Sequence, residues 1–235
     1  MSTLQTLDRG IQALFAVAAR PDGVSVADLC RELGIPRANG YRLVATLEAH
    51  GLLHRGDDGW VRLGAALPAL ASRYWPGFLS RVQPRLQQLA DDARATGFVT
   101  VAESDECVVL MTTEPSAPIL RVGYRSGSRH RLDRGAAGIA ILAGRPASPA
   151  DGDDVVVARA QGYAITRGQL EPGAIGVAAA IPRGSGAAAL PEASVGIVAL
   201  EGYDAVAAAP LVVRAAADLA GLSADDAGSA GRSSR

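Results

Sequence analysis

Near the N-terminal end, apolar positions recur with a helical period. Leu7, Ile11, Leu14, Phe15 and Ala18 fall on one stripe and predict a helix over residues 6–19, which Arg20-Pro21-Asp22-Gly23 ends. Ser25 followed by Asp28 has the form of a capping box. Val26, Leu29, Cys30 and Leu33 then form the buried stripe of a second helix, stopped by Gly34. Pro36 restarts the chain, because proline fits a first helical turn, and a third helix is predicted over residues 36–50. After Gly51 the pattern shortens to two extended runs, residues 52–55 and 60–63, around the turn Gly56-Asp57-Asp58-Gly59, which reads as a β-hairpin.

Two short helices across a tight glycine turn form the helix-turn-helix pattern, whose second member enters the DNA major groove. At 100° per residue, Gly40, Leu43, Val44 and Leu47 face inward on that helix, while Ala38, Asn39, Arg42, Ala45 and Thr46 face out. An outward face that is small and polar around one arginine suits base edges, with Arg42 as the base reader. Arg37 and Asn39 in the first turn, and Ser25 at the start of the helix before, stand where a positive helix end favours phosphate. Tyr41, Thr46, Arg55 and Arg62 complete the expected contacts to double-stranded DNA, the last two from the hairpin as a wing. The same pattern also fits a compact helical domain with no DNA function.

Further along, a helix is predicted over residues 79–96, with Val82, Leu86, Leu89 and Ala93 aligned and Gly97 at its end. Strands follow over 98–102, 107–112 and 119–124, a helix over 135–142, strands over 163–166, 175–181 and 194–200, and a capped helix over 204–219. The expected class is α+β with two domains. The segment 144–155 reads as irregular. Residues beyond Ser223 are too small and polar to bury and are expected to be disordered.

Composition adds limits. A chain of 235 residues suffices for two cores, and no apolar run approaches the ~20 residues a bilayer crossing needs. The opening residues Met1 to Gln5 have no leader pattern, so the cytoplasm is expected and no membrane partner is. Net charge is −1, and the first 64 residues hold seven arginines and seven acids, so any DNA site must arise from local placement. Cys30 and Cys107 are far apart, which suggests neither a disulfide nor a zinc site; Cys107 reads either as a packed hydrophobe or as a redox thiol.

Asp151-Gly-Asp-Asp154 lacks EF-hand spacing, and His50, His54 and His130 are scattered, so no metal, cofactor or catalytic residue is expected. Arg125 to Arg131 matches no phosphate loop. The arginines at 121, 125, 129, 131 and 134 suit an anionic ligand or a solvated surface.

The stretches from Ser25 through Arg37 and from Tyr41 through Leu52, continuing into Arg62-Leu63-Gly64, resemble the IclR family of bacterial regulators. The resemblance extends through Gly123 to Ala143, Gly162 to Glu171-Pro172-Gly173, and Val177 to Ala179. It implies a winged helix-turn-helix over 1–64, a linker helix within 65–77, a GAF-like effector domain over 78–222 and a tail over 223–235. It also implies a homodimer or tetramer on an operator.

Ala38-Asn39 replace the family's hydroxyl pair, and Gly40 a β-branched residue. Gly40 lowers helix propensity by up to ~1 kcal/mol relative to alanine, implying a less rigid recognition helix. The family's pocket positions fall on Tyr124, Asp133, Gly135, Ala136, Ile139, Arg167, Gln169 and Gly176. Several of these replace larger or more polar residues, and the 144–155 segment is short. The effector is therefore expected to be more apolar than a small carboxylate, or the pocket too open to bind tightly. The leading function is effector-controlled, sequence-specific transcription regulation. The alternatives are a sensor or assembly module without specific DNA readout, and an enzyme, for which no acid, base and nucleophile stand at a telling spacing.

Overall fold

A computed structural model describes residues 4–71, 78–117, 124–183 and 191–230. Internal contacts divide the chain into two units, Met1–Gly77 and Phe78–Arg235.

The first unit contains α1 (Gln5–Ala18), β1 (Val24–Ser25), α2 (Val26–Glu32), α3 (Arg37–Ala49), β2 (Leu53–Arg55), β3 (Trp60–Leu63) and α4 (Ala66–Ala71). Ser25 caps α2: its Oγ accepts the Asp28 N–H at 3.1 Å and donates to Asp28 Oδ2 at 2.8 Å. At the other end Gly34 takes φ +62°, the Gly34 N–H donates to the Arg31 carbonyl and the Ile35 N–H to the Cys30 carbonyl. This is the Schellman closure that a left-handed glycine permits, and it sets the tight turn into α3. The wing pairs Leu53 with Leu63 and Arg55 with Val61, and the unpredicted two-residue β1 adds a third strand through Val24 and Val61. Ala13, Val17, Leu29, Val44, Leu53 and Val61 form the centre of the core.

The first helix carries two apolar stripes. Its buried residues are Gly10, Ala13, Ala16 and Val17, whereas Leu4, Leu7, Ile11 and Phe15 are between 47% and 77% exposed. Small residues let α1 approach its neighbours closely, and the larger stripe is exposed among the described residues.

The second unit contains α5 (Phe78–Ala93), β4 (Thr96–Glu103), β5 (Glu106–Thr113), β6 (Arg129–Arg131), α6 (Gly135–Ala143), α7 (Asp153–Gln161), β7 (Ala164–Arg167), β8 (Ala174–Ala180), β9 (Ala193–Leu200) and α8 (Ala205–Ala230). The strands form one antiparallel sheet in the order β6-β5-β4-β9-β8-β7. Along β4, Gly97 faces α5, where an added Cβ would lie 3.0 Å from Leu86 Cδ1, while the next residue, Phe98, packs in the cluster with α6. That alternation places α5 and α6 on opposite faces. α5 and α8 pack together, as do α6 and α7.

Several expected boundaries move. α5 stops at Ala93 and Gly97 belongs to β4, because Arg94 turns into the left-handed region at φ +49°. α7 and β6 were not predicted. α7 carries the β-branched run Val155-Val156-Val157, which marks no helical stripe and of which only Val155 is buried, with Ala158, while β6 is Arg-His-Arg held by pairing to β5. Asp204 caps α8 through the Ala207 N–H, and this helix continues past residue 219 to Ala230, where Ala224, Ala227 and Ala230 favour helix over the disorder expected beyond Ser223. The expected linker helix is present as α4 up to Ala71. Its remainder, the break at Trp75-Pro76-Gly77 and the strand positions 119–123 lie outside the described residues.

Candidate nucleic-acid interface and effector pocket

α3 presents Arg37, Ala38, Asn39, Tyr41, Arg42, Ala45 and Thr46 as exposed positions and buries Gly40 and Val44. Gly40 has a packing reason: an added Cβ would overlap Cys30 Sγ, so α3 crosses α2 at a separation only glycine allows. The expectation that Gly40 loosens this helix is thereby replaced by one of close, fixed contact. Thr46 Oγ1 donates back to the Arg42 carbonyl at 2.9 Å. Among the described residues, the hydrogen bonds and ion pairs engage neither the Arg37 nor the Arg42 guanidinium, which leaves both to meet a partner from outside.

The other expected contacts are held differently. Ser25 uses its hydroxyl to cap α2, alongside the Arg31–Asp28 pair at 2.6 Å. Arg55 is tied to Glu48, whose Oε1 accepts the Arg55 N–H at 2.9 Å, and its guanidinium stands 6.0 Å from the centre of the Tyr41 ring. Arg62 forms a two-pronged pair with Asp58, at 2.7 and 3.2 Å. With that pair and the Trp60 N–H at 3.0 Å, the Asp58 carboxyl drops from 3.8 to about 2. The wing's two arginines are therefore paired internally, and on α3 Arg37 and Arg42 are left to meet a partner.

In the second unit a half-open cavity lies between the N-terminal turn of α6 and the sheet, with about 40 Å³ of water-accessible space inside and about 420 Å³ when its open mouth is counted. Phe98, Tyr124, Ala136, Leu170, Ala174 and Val198 make most of its wall, and Thr166, Gln169 and Glu171 supply polar groups. Phe98 and Tyr124 meet edge to face with ring centres 5.0 Å apart. His130 Nδ1 lies 3.0 Å from the Arg131 carbonyl, which can only accept, so Nε2 is the acceptor for the Tyr124 hydroxyl at 3.0 Å. Burial pushes the Tyr124 hydroxyl well above its usual range, so it stays protonated.

The first two N–H groups of α6 are occupied. Gly135 N–H donates to Gln169 Oε1 at 2.8 Å and Ala136 N–H to Thr166 Oγ1 at 3.0 Å. Gly135 opens the helix at φ +75°, a conformation that disfavours side chains, and an added Cβ would lie 2.6 Å from Leu170 Cδ1. At Gly176, on the cavity floor, an added Cβ would come to 3.3 Å from Ala136 Cβ.

Of the positions expected around an effector, Tyr124, Ala136, Gln169 and Gly176 line this cavity, and Gly135 adjoins it. Three lie elsewhere. Asp133 is exposed and held by Arg131 at 2.8 Å, Ile139 is buried in the core, and Arg167 is exposed at the end of β7. Thr166, Leu170 and Phe98 were missed, although the Ala164/Thr166 alternation of β7 marks Thr166 as inward.

The arginine-rich run is largely a surface network: Arg129 pairs with Glu103 and Glu106, Arg131 with Asp133, and Arg134 donates to the Gln169 carbonyl at 2.6 Å. Cys30 and Cys107 are free and buried, and burial pushes the Cys107 thiol up to about 11, which describes a packed hydrophobe and not a redox thiol. Among the described residues no group of three or more acids, histidines or cysteines is placed to hold a metal, and no helix is long and apolar enough to cross a membrane.

Comparison with known proteins gives the same picture. The IclR helix-turn-helix domain model matches residues 6–57. The HTH-type transcriptional regulator TtgV of Pseudomonas putida is 30% identical over 61% of this chain and 55% of its own length. The chain spans about half the length of the curated relatives it matches. An IclR transcriptional regulator from Alicyclobacillus acidocaldarius superimposes with a TM-score of 0.68 at 17% identity, over 94% of this chain and 100% of that one. An IclR homologue from Microbacterium hydrocarbonoxydans, complexed with 4-hydroxybenzoate, gives 0.69 at 22% identity, over 92% and 98%. Residues 6–57 thus match the IclR helix-turn-helix domain in sequence, and the chain shares its two-domain fold with solved structures named as IclR regulators.

Proposed function

We propose that this chain is a sequence-specific, DNA-binding transcriptional regulator controlled by a small molecule in the α6 cavity. It acts as a homodimer in the cytoplasm and not as an enzyme. The reading head is residues 1–64, the connecting helix lies within 65–77 and the sensor spans 78–222. The observation that carries the reading is the exposed face of α3, small and polar, with Arg37 and Arg42 outside the internal ion pairs. The names of the curated relatives as transcriptional regulators support it, and the neighbour complexed with 4-hydroxybenzoate supports control by a small molecule.

A dimer brings two recognition helices to successive major grooves, and a ligand that fits one arrangement better shifts the population towards it. The exposed Leu4, Leu7, Ile11 and Phe15 stripe supports the pairing of two copies through α1.

Fluorescence anisotropy on the DNA upstream of the gene, against an unrelated duplex of equal length, tests the function. Wild type should prefer the upstream fragment, and Arg42→Ala should lose about 1–3 kcal/mol of that preference while keeping weak, salt-sensitive binding. Unchanged preference in the variant removes Arg42 from base reading. The internally matched wing favours one second reading, a sensing or assembly module, and a wild-type protein with no preference for any upstream segment selects it.

A further inference from the structure

If the α6 cavity is the effector site proposed above, its walls restrict the chemistry of the ligand. A helix N-terminus opening on a cavity is ordinarily a seat for an anion, because its first N–H groups point outward at the positive end of the helix dipole. On α6 the first two of these groups are taken by the protein itself, through Gln169 Oε1 on the Gly135 N–H and Thr166 Oγ1 on the Ala136 N–H. Leu170 lies over the same turn, and Arg134 fastens the loop by donating to the Gln169 carbonyl.

Among the described residues no arginine or histidine lines the cavity, and the charged group on its wall is the Glu171 carboxylate. The Tyr124 hydroxyl proton is used by His130, so Tyr124 offers its ring. What remains for a ligand is an apolar wall with two aromatic rings, the Thr166 hydroxyl proton and an accepting carboxylate at Glu171.

The geometry points to a neutral, ring-sized effector carrying a hydrogen-bond donor, of the phenol or arylamine class, and to discrimination against aryl carboxylates. The ring packs beside Phe98 and Tyr124, and its O–H or N–H donates to Glu171. A carboxylate placed there loses water, gains no cation, finds the Gly135 and Ala136 N–H groups already taken, and faces a like charge.

Calorimetric titration of the full chain at neutral pH with p-cresol and with 4-hydroxybenzoate tests this, because the two share a ring and hydroxyl and differ in methyl against carboxylate. Wild type should bind p-cresol at least about tenfold more tightly. Gln169→Ala uncovers the Gly135 N–H and should raise 4-hydroxybenzoate affinity severalfold with little change for p-cresol. If 4-hydroxybenzoate binds wild type as tightly as p-cresol, and the cavity-filling Ala174→Trp abolishes both, the ligand class is wrong while the cavity remains the effector site. If neither probe binds wild type, or a folded Ala174→Trp binds as wild type does, the cavity reading itself falls and the ligand class with it. The wild-type comparison decides the class even if a variant fails to fold.

Discussion

At Gly40 two residue-scale effects oppose one another. Helix propensity alone makes glycine in mid-helix a cost of up to ~1 kcal/mol against alanine. The α2–α3 crossing reverses that sign, since a Cβ at Gly40 would overlap Cys30 Sγ and overpacking a core by one methyl typically costs about 1–3 kcal/mol. Gly40→Ala is therefore expected to lower stability in urea unfolding, and adding Cys30→Ala should restore part of the loss by removing the sulfur. A Gly40→Ala protein more stable than wild type would show that α3 lies further from α2. The same crossing explains why a position open to several residues on sequence grounds carries glycine here, where the recognition helix must be held at a fixed angle.

Among the elements, those with chemical punctuation were legible and those without it were not. α2 and α3 are bounded by a serine cap, a Schellman glycine and a proline, and their inward and outward faces follow from periodicity. α1 was legible in extent, but its facing was not, because it carries two stripes and periodicity does not say which one is buried. α7 has apolar residues in a β-branched run without a helical period, β6 has none, and both exist through packing and pairing. The cavity was half legible: Tyr124, Ala136 and Gly176 fall on it, whereas Leu170 reaches it from a loop whose course is fixed by Arg134 and Gln169, a long-range fact no local pattern carries. The uncovered α1 stripe leads to a prediction at this scale. Ile11→Glu places a charge in its middle, on a residue already 47% exposed, so folding should survive. Light scattering should then report a monomer where wild type is a dimer, and an unchanged dimer mass would move the interface away from α1.

For the molecule as a whole, net charge supplies no pull towards DNA, so affinity depends on which arginines are released to phosphates. Arg62 is held by Asp58, whose folded carboxyl, at about 2, lies below its ordinary 3.8. A depressed carboxyl stabilises the fold above its ordinary value and loses that contribution as pH falls through about 2, so at neutral pH the pair is fully formed and insensitive to small pH changes. Asp58→Asn keeps an oxygen for the Trp60 N–H while removing the charge that holds Arg62. Each further phosphate neutralised steepens the dependence of log affinity on log salt by about 0.9, so a dimer gaining one contact per wing should steepen by about two. Binding at low salt should tighten without a change in sequence preference, because a phosphate contact carries no base information. The check is a salt series at neutral pH on the preferred DNA, wild type beside Asp58→Asn. A parallel pair of lines would mean that the wing does not reach the backbone and that α3 alone meets the duplex.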